Sequence, residues 1–498
     1  MNKKITQIHA MTTLYWHDYE TFGSDPRCDR PAQFAGLRTD EALNEIGDPL
    51  VIYCKPSKDI LPQPDACLLT GITPQIADQQ GLPEPEFIAK IHKELAQPRT
   101  CGVGYNTLRF DDEVTRFTLY RNFYDPYGRE WQQGNSRWDL IDLVRMTYAL
   151  RPEGIIWPRH DDGKPSFRLE DLTAANNIHH DSAHDALSDV KATIKLARLL
   201  CDKQPRLYNW FFQLRNKHKA ALLLDLINHT PVIHTSRMYP SETGCTTIVM
   251  PMIQEQGNGN SILVYDLRHN PAPFIELSVE ELAIRLFTPQ SALPEEVSRL
   301  PVKSIKINKC PALAPQNVLD KSTASRINLN VEVCNQHWQI LHKNTAFMQR
   351  VAQAYSGMEF ETARDVDLAL YDNFFSESDR ILMTAVRDAS PWQLTHNHFN
   401  FQDKRLHELL FRYRARNWPD TLSAKELQRW GAICHQHLTE KNCGNSITLI
   451  EFAEKIRDLC ETYAENAHIL QILNAIETWG KELATANNIP WDLFNMKE

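Results

Sequence analysis

The spacing of apolar residues predicts that the first 200 residues mix short strands with amphipathic helices. Runs typical of buried strands lie at residues 14–23, 49–54 and 100–106. Helical three- and four-residue spacing is found at residues 86–95, 110–120, 167–176 and 183–200. The last of these helices has a continuous apolar face suited to packing on a sheet. A loop rich in proline and glycine, residues 151–166, separates the last two helices from the earlier segments.

The pattern changes from strand-like to helical in the rest of the chain. Strand-like runs lie at residues 246–250, 261–265 and 302–307, and residues 257–260 read as a hairpin turn. One long helix is predicted over residues 332–355, ending at Gly357. Beyond it the spacing is helical throughout, with capping-box sequences beginning at Ser376 and Ser423. These apolar stripes are expected to form the core of a helix bundle.

Two acids stand out in the first strand-like run. Side chains two positions apart on a strand share a face, so Asp18 and Glu20 would lie side by side with Tyr19 turned away. Like charges so close destabilise each other unless a cation lies between them. Carboxylates suit a hard divalent ion such as Mg²⁺ or Mn²⁺. An edge strand carrying two solvated acids explains this fragment equally well.

Three further residues could join this pair. Asp111 opens the helix at 110–120, where an acid can simply cap the helix or complement its dipole, and Asp112 could fill that role alone. Asp189 lies inside the helix at 183–200. His184 precedes it by five residues and shares no helix face with it, so His184 is expected on the loop or first turn. Taken singly, each of these residues is also typical of the solvent-exposed face or the first turn of an ordinary helix.

Composition limits the classes of protein to consider. A length of 498 residues suggests about three domains, and 42% apolar with 23% charged residues is ordinary for a globular protein. No membrane span or signal peptide is apparent. The 11 cysteines are scattered without a Cys-x-x-Cys pair, which favours reduced thiols in a cytosolic protein over a structural zinc site. With a net charge of −9, a nucleic-acid binder would need local basic patches.

Taken together, the five residues form the DEDDh arrangement of 3′→5′ exonucleases, and longer strings resemble one family within that class, bacterial exodeoxyribonuclease I. One such string is Asn-Thr-Leu-Arg-Phe-Asp-Asp-Glu-Val-Thr-Arg at residues 106–116. Others lie at residues 120–127, 135–140, 149–154, 166–169, 183–186, 214–219, 307–311, 371–375 and 413–417. The resemblance therefore covers nearly the full length of the chain.

The resemblance implies an α/β ribonuclease-H-like exonuclease domain, followed by an SH3-like β-barrel domain and an all-α C-terminal domain. The sequence places these domains at residues 1–201, 202–356 and 357–498. The implied activity is processive 3′→5′ degradation of single-stranded DNA to 5′-mononucleotides, in DNA repair and recombination.

The resemblance also implies the catalytic site. Asp18, Glu20, Asp111 and Asp189 would hold two Mg²⁺ ions about 4 Å apart, with Mn²⁺ as a substitute. His184 would take the proton of the attacking water, because histidine titrates near neutral pH. Two residues would contact the substrate here, Glu20 and Arg168. A salt bridge from Arg168 to a neighbouring acid is an equal alternative for that residue.

A DNA path needs positive charge and stacking surfaces. Residues 205–224 combine basic and aromatic residues and contain no acid. The candidate strand contacts are Arg116, Arg215, Lys217, Lys219, Arg414 and Arg416. A basic run is more often a solvated face, but the run at 205–224 and a second one that contains Arg414 and Arg416 lie in the two accessory domains, which would let the domains close around a strand.

The family also binds the acidic C-terminal tail of single-stranded DNA-binding protein, and Arg151 is a candidate for that pocket. A monomer is implied, located in the cytoplasm and associated with the nucleoid while working. Two other functions fit parts of the sequence. RNA-trimming DEDDh enzymes share the nuclease domain but are usually short chains. A non-enzymatic DNA-binding scaffold would need a broken site, whereas all five positions are present.

Overall fold

A five-stranded mixed sheet forms the centre of the first domain in the computed structural model, which describes residues 12–180, 184–357 and 363–491. Its strands are β1 Thr13–Thr21, β2 Pro31–Thr39, β3 Glu45–Tyr53, β4 Thr100–Gly104 and β5 Ser136–Asp139. They lie in the order β3-β2-β1-β4-β5. Strand β1 runs antiparallel to β2 and parallel to β4, which is parallel to β5. The parallel strands β1, β4 and β5 therefore end at one edge of the sheet.

Helices cover both faces of this sheet. They are α1 Pro64–Thr70, α2 Pro74–Gln80, α3 Glu84–Leu95, α4 Asp111–Arg121, α5 Leu140–Leu150, α6 Leu169–Ala175 and α7 Ala186–Lys203. Leu14 and Trp16 of β1 pack in the core that α5 and α7 share. Tyr15 and Tyr19 point to the opposite face and pack with α3 and α4. The alternation along β1 thus assigns its even-numbered residues to the α7 side, as the period of two predicts.

The second domain is built on an antiparallel sheet with helices around it. Its strands are β6 Val232–Thr235, β7 Thr246–Gln254, β8 Ser261–Asp266, β9 Val302–Lys306 and β10 Ala312–Pro315, in the order β10-β6-β7-β8-β9. Its helices are α8 Pro205–Gln213, α9 Lys217–Leu223, α10 Val279–Phe287, α11 Lys321–Arg326, α12 Val331–Leu341 and α13 Thr345–Ser356. The prediction of one helix over residues 332–355 is wrong. Asn344, at the N-cap of α13, separates α12 from α13 with a non-helical ψ of 62°. Asparagine favours helix caps over helix interiors.

The third domain is helical, as predicted. Its helices are α14 Glu377–Asp388, α15 Pro391–His396, α16 Lys404–Asn417, α17 Ala424–Thr439, α18 Leu449–Thr462 and α19 Ala467–Ala486. Ser423 and Glu426 form the predicted reciprocal capping box. Ser376 caps α14, but the carboxylate of Asp379 binds the backbone of residues 402 and 403 instead of completing the box. No helix in the described ranges is long and apolar enough to cross a membrane.

A buried cluster of charged residues joins the first domain to the third. This cluster, here called the domain joint, consists of Arg30, Asp59, Asp365, Asp367, Arg412, Arg416 and His437. Arg416 Nη2 lies 2.8 Å from Asp59 Oδ2, although the two residues are 357 positions apart. The His437 ring lies between Asp59 and Asp365, 3.2 Å from an oxygen of each. Each charge in the joint therefore faces an opposite one, as burial requires.

The domain joint predicts a pH dependence of stability. Burial alone would lower the pKa of His437, but its hydrogen bonds to Asp365 and Asp59 raise it above its usual value. A histidine with a raised folded pKa stabilises the fold below its unfolded pKa of about 6.5, and this contribution is lost as the pH rises through the folded pKa. We expect His437→Asn to cost on the order of 3 kcal/mol at about pH 6, and less at about pH 9.

Urea denaturation across that pH range measures the difference between wild type and variant. His435→Asn, at an exposed position on the same helix, is the matched control and should leave the free energy of unfolding unchanged. If the destabilisation by His437→Asn does not vary with pH, His437 carries no proton that depends on folding.

Candidate active site

Two carboxylates lie at the edge of the first sheet where its parallel strands end. Asp18 and Glu20 continue the β1 face that begins with Leu14 and Trp16, and so point toward α7. Strand β4 pairs with β1 only as far as Trp16 opposite Val103. Beyond that point β1 has no parallel neighbour, and the backbone N–H of Tyr19 donates to Asp111 Oδ1 at 3.0 Å. This bond ties the start of α4 to β1 and brings a third carboxylate to the site.

Asp111 and Asp112 are neighbours in sequence but have different roles in the structure. The side chain of Asp112 is buried between Arg129 Nη2 at 2.6 Å and Arg137 Nη1 at 2.9 Å. Burial opposes the ionisation of Asp112, but the two arginines outweigh it and lower its pKa. The residue at the N-cap of α4 is Phe110, without a side-chain cap. Asp111 is therefore the acid free to serve the site, while Asp112 holds two arginines in place.

The fourth carboxylate comes from the first turn of α7. Asp189 Oδ2 accepts a hydrogen bond of 3.3 Å from the backbone N–H of His184, which has a left-handed φ of 66° just ahead of the helix. Possible ligand atoms of Glu20, His184 and Asp189 lie within 4.8 Å of one another. His184 thus lies on the loop side of α7, as predicted, and its Nε2 is 3.7 Å from Glu170 Oε1.

The electrostatics of the site favour a cation. Burial, followed by repulsion from Asp111 and Glu20, raises the pKa of Asp18 well above its usual value. Burial and the charge of Asp189 raise the pKa of Glu20 to about 9. In the part of the chain that the structure describes, no lysine or arginine forms an ion pair with Asp18, Glu20 or Asp111. A set of oxygen ligands with uncompensated charge fits a hard divalent metal ion.

A second histidine, which the sequence analysis did not select, also contacts the site. His180 Nε2 lies 2.5 Å from Asp189 Oδ1, and its Nδ1 lies 3.2 Å from Thr173 Oγ1 on α6. Its side chain is 7% exposed, compared with 29% for His184. In the sequence His180 is a histidine nine residues before Asp189. That spacing does not indicate that the two side chains are in contact.

Arg168 lies at the edge of the same site. Its side chain is 65% exposed and its guanidinium is 3.6 Å from Glu170 Oε1, so the predicted salt bridge to a neighbouring acid forms. This pair is exposed and therefore weak. The arginine remains available to a phosphate group, and its predicted contact with the substrate stays a prediction.

The basic stretch at residues 205–224 has an exposed cationic side but buried aromatic residues. Lys217 and Lys219 are exposed, and their Nζ atoms lie 3.5 Å and 2.8 Å from the amide oxygens of Asn260 and Gln213. The Arg215 guanidinium lies 3.6 Å from the ring centre of Phe212. The aromatic rings of Tyr208 and Phe211 are in the core against Trp138, so the expected base-stacking surface is not formed by them.

The other predicted strand contacts are tied to carboxylates. Arg414 pairs with Glu426 at 2.8 Å, and Arg416 belongs to the domain joint. A contact with a strand would have to replace these pairs, and the predicted DNA contacts of Arg414 and Arg416 stay predictions. Arg116 is buried and binds Glu130 and Glu113, which means that any contact with a strand would have to replace one of these pairs.

Arg151, the candidate for the pocket that binds the tail of single-stranded DNA-binding protein (SSB), lies at the boundary between the first two domains. It follows α5, and its Nη2 donates to the carbonyl oxygen of Val318 in the second domain at 3.1 Å. The residue is half-buried at this boundary, and its predicted contact with the SSB tail stays a prediction.

Three family models match the chain in succession. Residues 15–197 match the family described as Exonuclease, residues 215–357 the Exonuclease I SH3-like domain, and residues 364–483 the Exonuclease I C-terminal domain. Exodeoxyribonuclease I of Escherichia coli K12 is 45% identical over 95% of this chain and 98% of its own length. The Haemophilus influenzae protein of the same name is 42% identical over 95% and 98%.

Solved structures agree with these matches. Exonuclease I from Methylocaldum szegediense has a TM-score of 0.91 at 47% identity, covering 95% of this chain and 99% of that one. E. coli exonuclease I in complex with a dA16 oligonucleotide has a TM-score of 0.91 at 45% identity, covering 95% and 100%. A zinc-bound complex of the E. coli protein with single-stranded DNA has a TM-score of 0.90 at 44% identity, and an SSB/exonuclease I structure with an inhibitor has 0.88 at 43%, each covering 95% and 100%.

Proposed function

We infer that this chain, which belongs to the exodeoxyribonuclease I family, degrades single-stranded DNA processively from its 3′ end. It is a nuclease with a ribonuclease-H-like exonuclease domain, an SH3-like domain and a helical C-terminal domain. It depends on a divalent metal ion and has single-stranded DNA and SSB as partners. The observation that carries this function is the convergence of four carboxylates at the sheet edge, of which Asp18, Glu20 and Asp111 form no ion pair with a lysine or arginine among the described residues.

The roles of the site residues are proposals. Asp18, Glu20, Asp111 and Asp189 would hold two Mg²⁺ ions, for which Mn²⁺ could substitute, because all four offer only carboxylate oxygens. Bound divalent ions neutralise charge on the scissile phosphate and lower the pKa of the attacking water.

The remaining groups position the strand and move the proton. Tyr19 holds Asp111 through its backbone N–H. His184, at the open side of the site, would act as general base for the attacking water. Arg168 would bind the phosphate next to the bond that breaks, and Glu20 would face the terminal nucleotide. The products would be 5′-mononucleotides.

Several broader features are also proposed. The three domains would span residues 1–201, 202–356 and 357–498, and because α7 extends to Lys203, the first boundary would move to Gln204. Arg151 would bind a carboxylate of the acidic SSB tail. The protein would act as a monomer in the cytoplasm and associate with the nucleoid while degrading DNA in repair and recombination.

A degradation assay on matched DNA and RNA oligonucleotides tests the proposed function. With Mg²⁺ we expect single-stranded DNA to shorten from its 3′ end, and with chelator we expect no shortening. Preferential degradation of the RNA would instead support an RNA-trimming enzyme. Binding of DNA without degradation in any divalent metal would support a scaffold.

The lysines on α9 predict a salt effect on DNA binding. Each contact with a phosphate contributes about −0.7 to the slope of log affinity against log salt for single strands. Replacing Lys217 and Lys219 with Ala should flatten this slope by roughly one to one and a half units and shorten the tract degraded per encounter. Filter binding at several salt concentrations and single-encounter digestion of a long strand measure these two quantities.

Two exposed lysines of the first domain provide the control. Lys90 and Lys93 lie on α3, and replacing both with Ala makes the same change of net charge. An unchanged slope and tract length in the Lys217 and Lys219 variant would remove α9 from the DNA path.

A further inference from the structure

Asp189 differs from the other three carboxylates in how it is attached to the site. Asp18 and Glu20 belong to a central strand, and Asp111 is held to that strand by the N–H of Tyr19. Asp189 comes from α7, a separate element on one face of the sheet. The terminal torsion of an aspartate is broad, so its carboxylate needs bonds from neighbouring groups to take one orientation.

His180 supplies such a bond. Its Nε2 lies 2.5 Å from Asp189 Oδ1, while Oδ2 accepts the backbone N–H of His184 at 3.3 Å. The two carboxylate oxygens are thus bound from two sides. An ionised carboxylate only accepts hydrogen bonds, so Nε2 of His180 must carry the hydrogen in this contact.

The other ring nitrogen of His180 is also occupied. Nδ1 lies 3.2 Å from the hydroxyl oxygen of Thr173, which is 1% exposed on α6. The single hydrogen of this hydroxyl points either to the carbonyl oxygen of Leu169 or to Nδ1, and in both cases the contact holds the imidazole ring in one orientation. A chain of contacts therefore runs from α6 through Thr173 and His180 to the site.

The two histidines of the site are placed differently. The side chain of His184 is 29% exposed with Nε2 3.7 Å from Glu170, whereas that of His180 is 7% exposed and lies between Thr173 and Asp189. A solvent-facing histidine can exchange protons with water and substrate. A buried histidine with both nitrogens bound is suited to hold a neighbour in place.

We propose that His180 is a positioning residue, which orients the Asp189 carboxylate for metal binding and takes its own orientation from Thr173. This inference rests on the proposed function, because it assumes that Asp189 binds the metal. Groups that bind the ligands of a metal ion commonly affect metal affinity, and their loss typically costs about 10- to 100-fold in affinity or activity. His180 would act in this way through a carboxylate ligand.

The test compares His180→Ala with His180→Gln, whose amide nitrogen can replace Nε2 as donor. Isothermal titration calorimetry with Mn²⁺ on the full-length protein without DNA measures metal affinity directly. We expect His180→Ala to weaken Mn²⁺ binding about 10- to 100-fold and to raise the half-maximal metal concentration for degradation by a similar factor. At saturating metal, kcat should largely recover, with KM for the strand unchanged. His180→Gln should recover most of the affinity.

Thr173→Val extends the test to the second contact, with a matched control elsewhere. Thr147 is likewise buried on a helix, and its hydroxyl oxygen lies 2.8 Å from the carbonyl oxygen of Leu143, as that of Thr173 lies 2.9 Å from the carbonyl oxygen of Leu169. Thr173→Val should weaken Mn²⁺ binding in the same direction as His180→Ala but by less, and Thr147→Val should leave it unchanged. Thermal melting monitored by circular dichroism verifies that each variant is folded.

Three results would overturn the inference. Unchanged Mn²⁺ affinity in folded His180→Ala would mean that the contact does not orient a ligand. Equal losses of Mn²⁺ affinity in His180→Ala and His180→Gln would mean that the hydrogen bond to Asp189 does not contribute to metal binding. A loss of kcat that saturating metal does not restore would make His180 a participant in the chemistry. If the wild type binds Mn²⁺ but degrades no DNA, the proposed function fails while the calorimetric comparison still tests His180.

Discussion

Asp18→Asn is expected to abolish DNA degradation while the protein remains folded. Burial of Asp18 and repulsion from Asp111 and Glu20 raise its pKa well above the usual range. Asn has nearly the same shape but lacks the charge that a divalent ion needs. Digestion of a labelled strand in Mg²⁺ measures the loss. Activity above a few per cent of wild type would contradict the proposed two-metal site.

The same substitution is expected to stabilise the protein without metal. For a carboxyl with a raised folded pKa, the fold is most stable below the unfolded pKa of about 4 and loses stability as the pH rises through the folded value. Asp18→Asn removes one of these charges and should melt at a higher temperature than wild type in chelator at neutral pH. Added Mg²⁺ should raise the melting temperature of wild type more than that of the variant.

An acid elsewhere on the sheet provides the control for both measurements. Asp48 is exposed on β3, so Asp48→Asn changes the net charge equally without touching the site. It should alter neither degradation nor the response of the melting temperature to Mg²⁺.

His184→Ala is expected to reduce turnover by about 10²- to 10⁴-fold, the range that general bases contribute. His184 lies at the open side of the site, where its ring can reach a water molecule next to the carboxylates. Affinity for metal and for DNA should remain near that of wild type, because four carboxylates and the basic surfaces are unchanged. Single-turnover digestion at saturating metal and DNA isolates this step.

Calorimetry distinguishes a base from a ligand at this position. A ligand atom of His184 lies within 4.8 Å of those of Glu20 and Asp189, so metal coordination is a definite alternative. If Mn²⁺ binding is lost in His184→Ala, the residue is a ligand and the assignment as general base is wrong. His468→Ala, at an exposed position on α19, should change neither turnover nor metal binding.

The elements that carry the site were predictable from local patterns. Alternation along β1 is a short-range property, and it assigned Asp18 and Glu20 to one face. The spacing of apolar residues likewise placed Asp189 in α7 and His184 ahead of it. Such inferences need only the neighbouring residues, which is why they agree with the structure.

Pairing between distant charges was not predictable in this way. Arg416 resembled a DNA contact because its sequence neighbours are basic, yet its partner Asp59 lies 357 positions away. Asp111 and Asp112 are equivalent in their local sequence, but in the structure Arg129 and Arg137 bind Asp112. Spacing in sequence gives no information on which charges fold against each other, so burial by a distant partner could not be foreseen.

The domain joint has a consequence for protein engineering. Arg30 and Asp59 of the first domain are buried against Asp367 and Arg416 of the third, and rings of α4 such as Phe117 pack in the same apolar core as helices of that domain. A truncated chain that ends after α7 would expose these charges and rings to water. The catalytic unit is therefore not a detachable module, and fusions or minimised enzymes should retain the C-terminal helices.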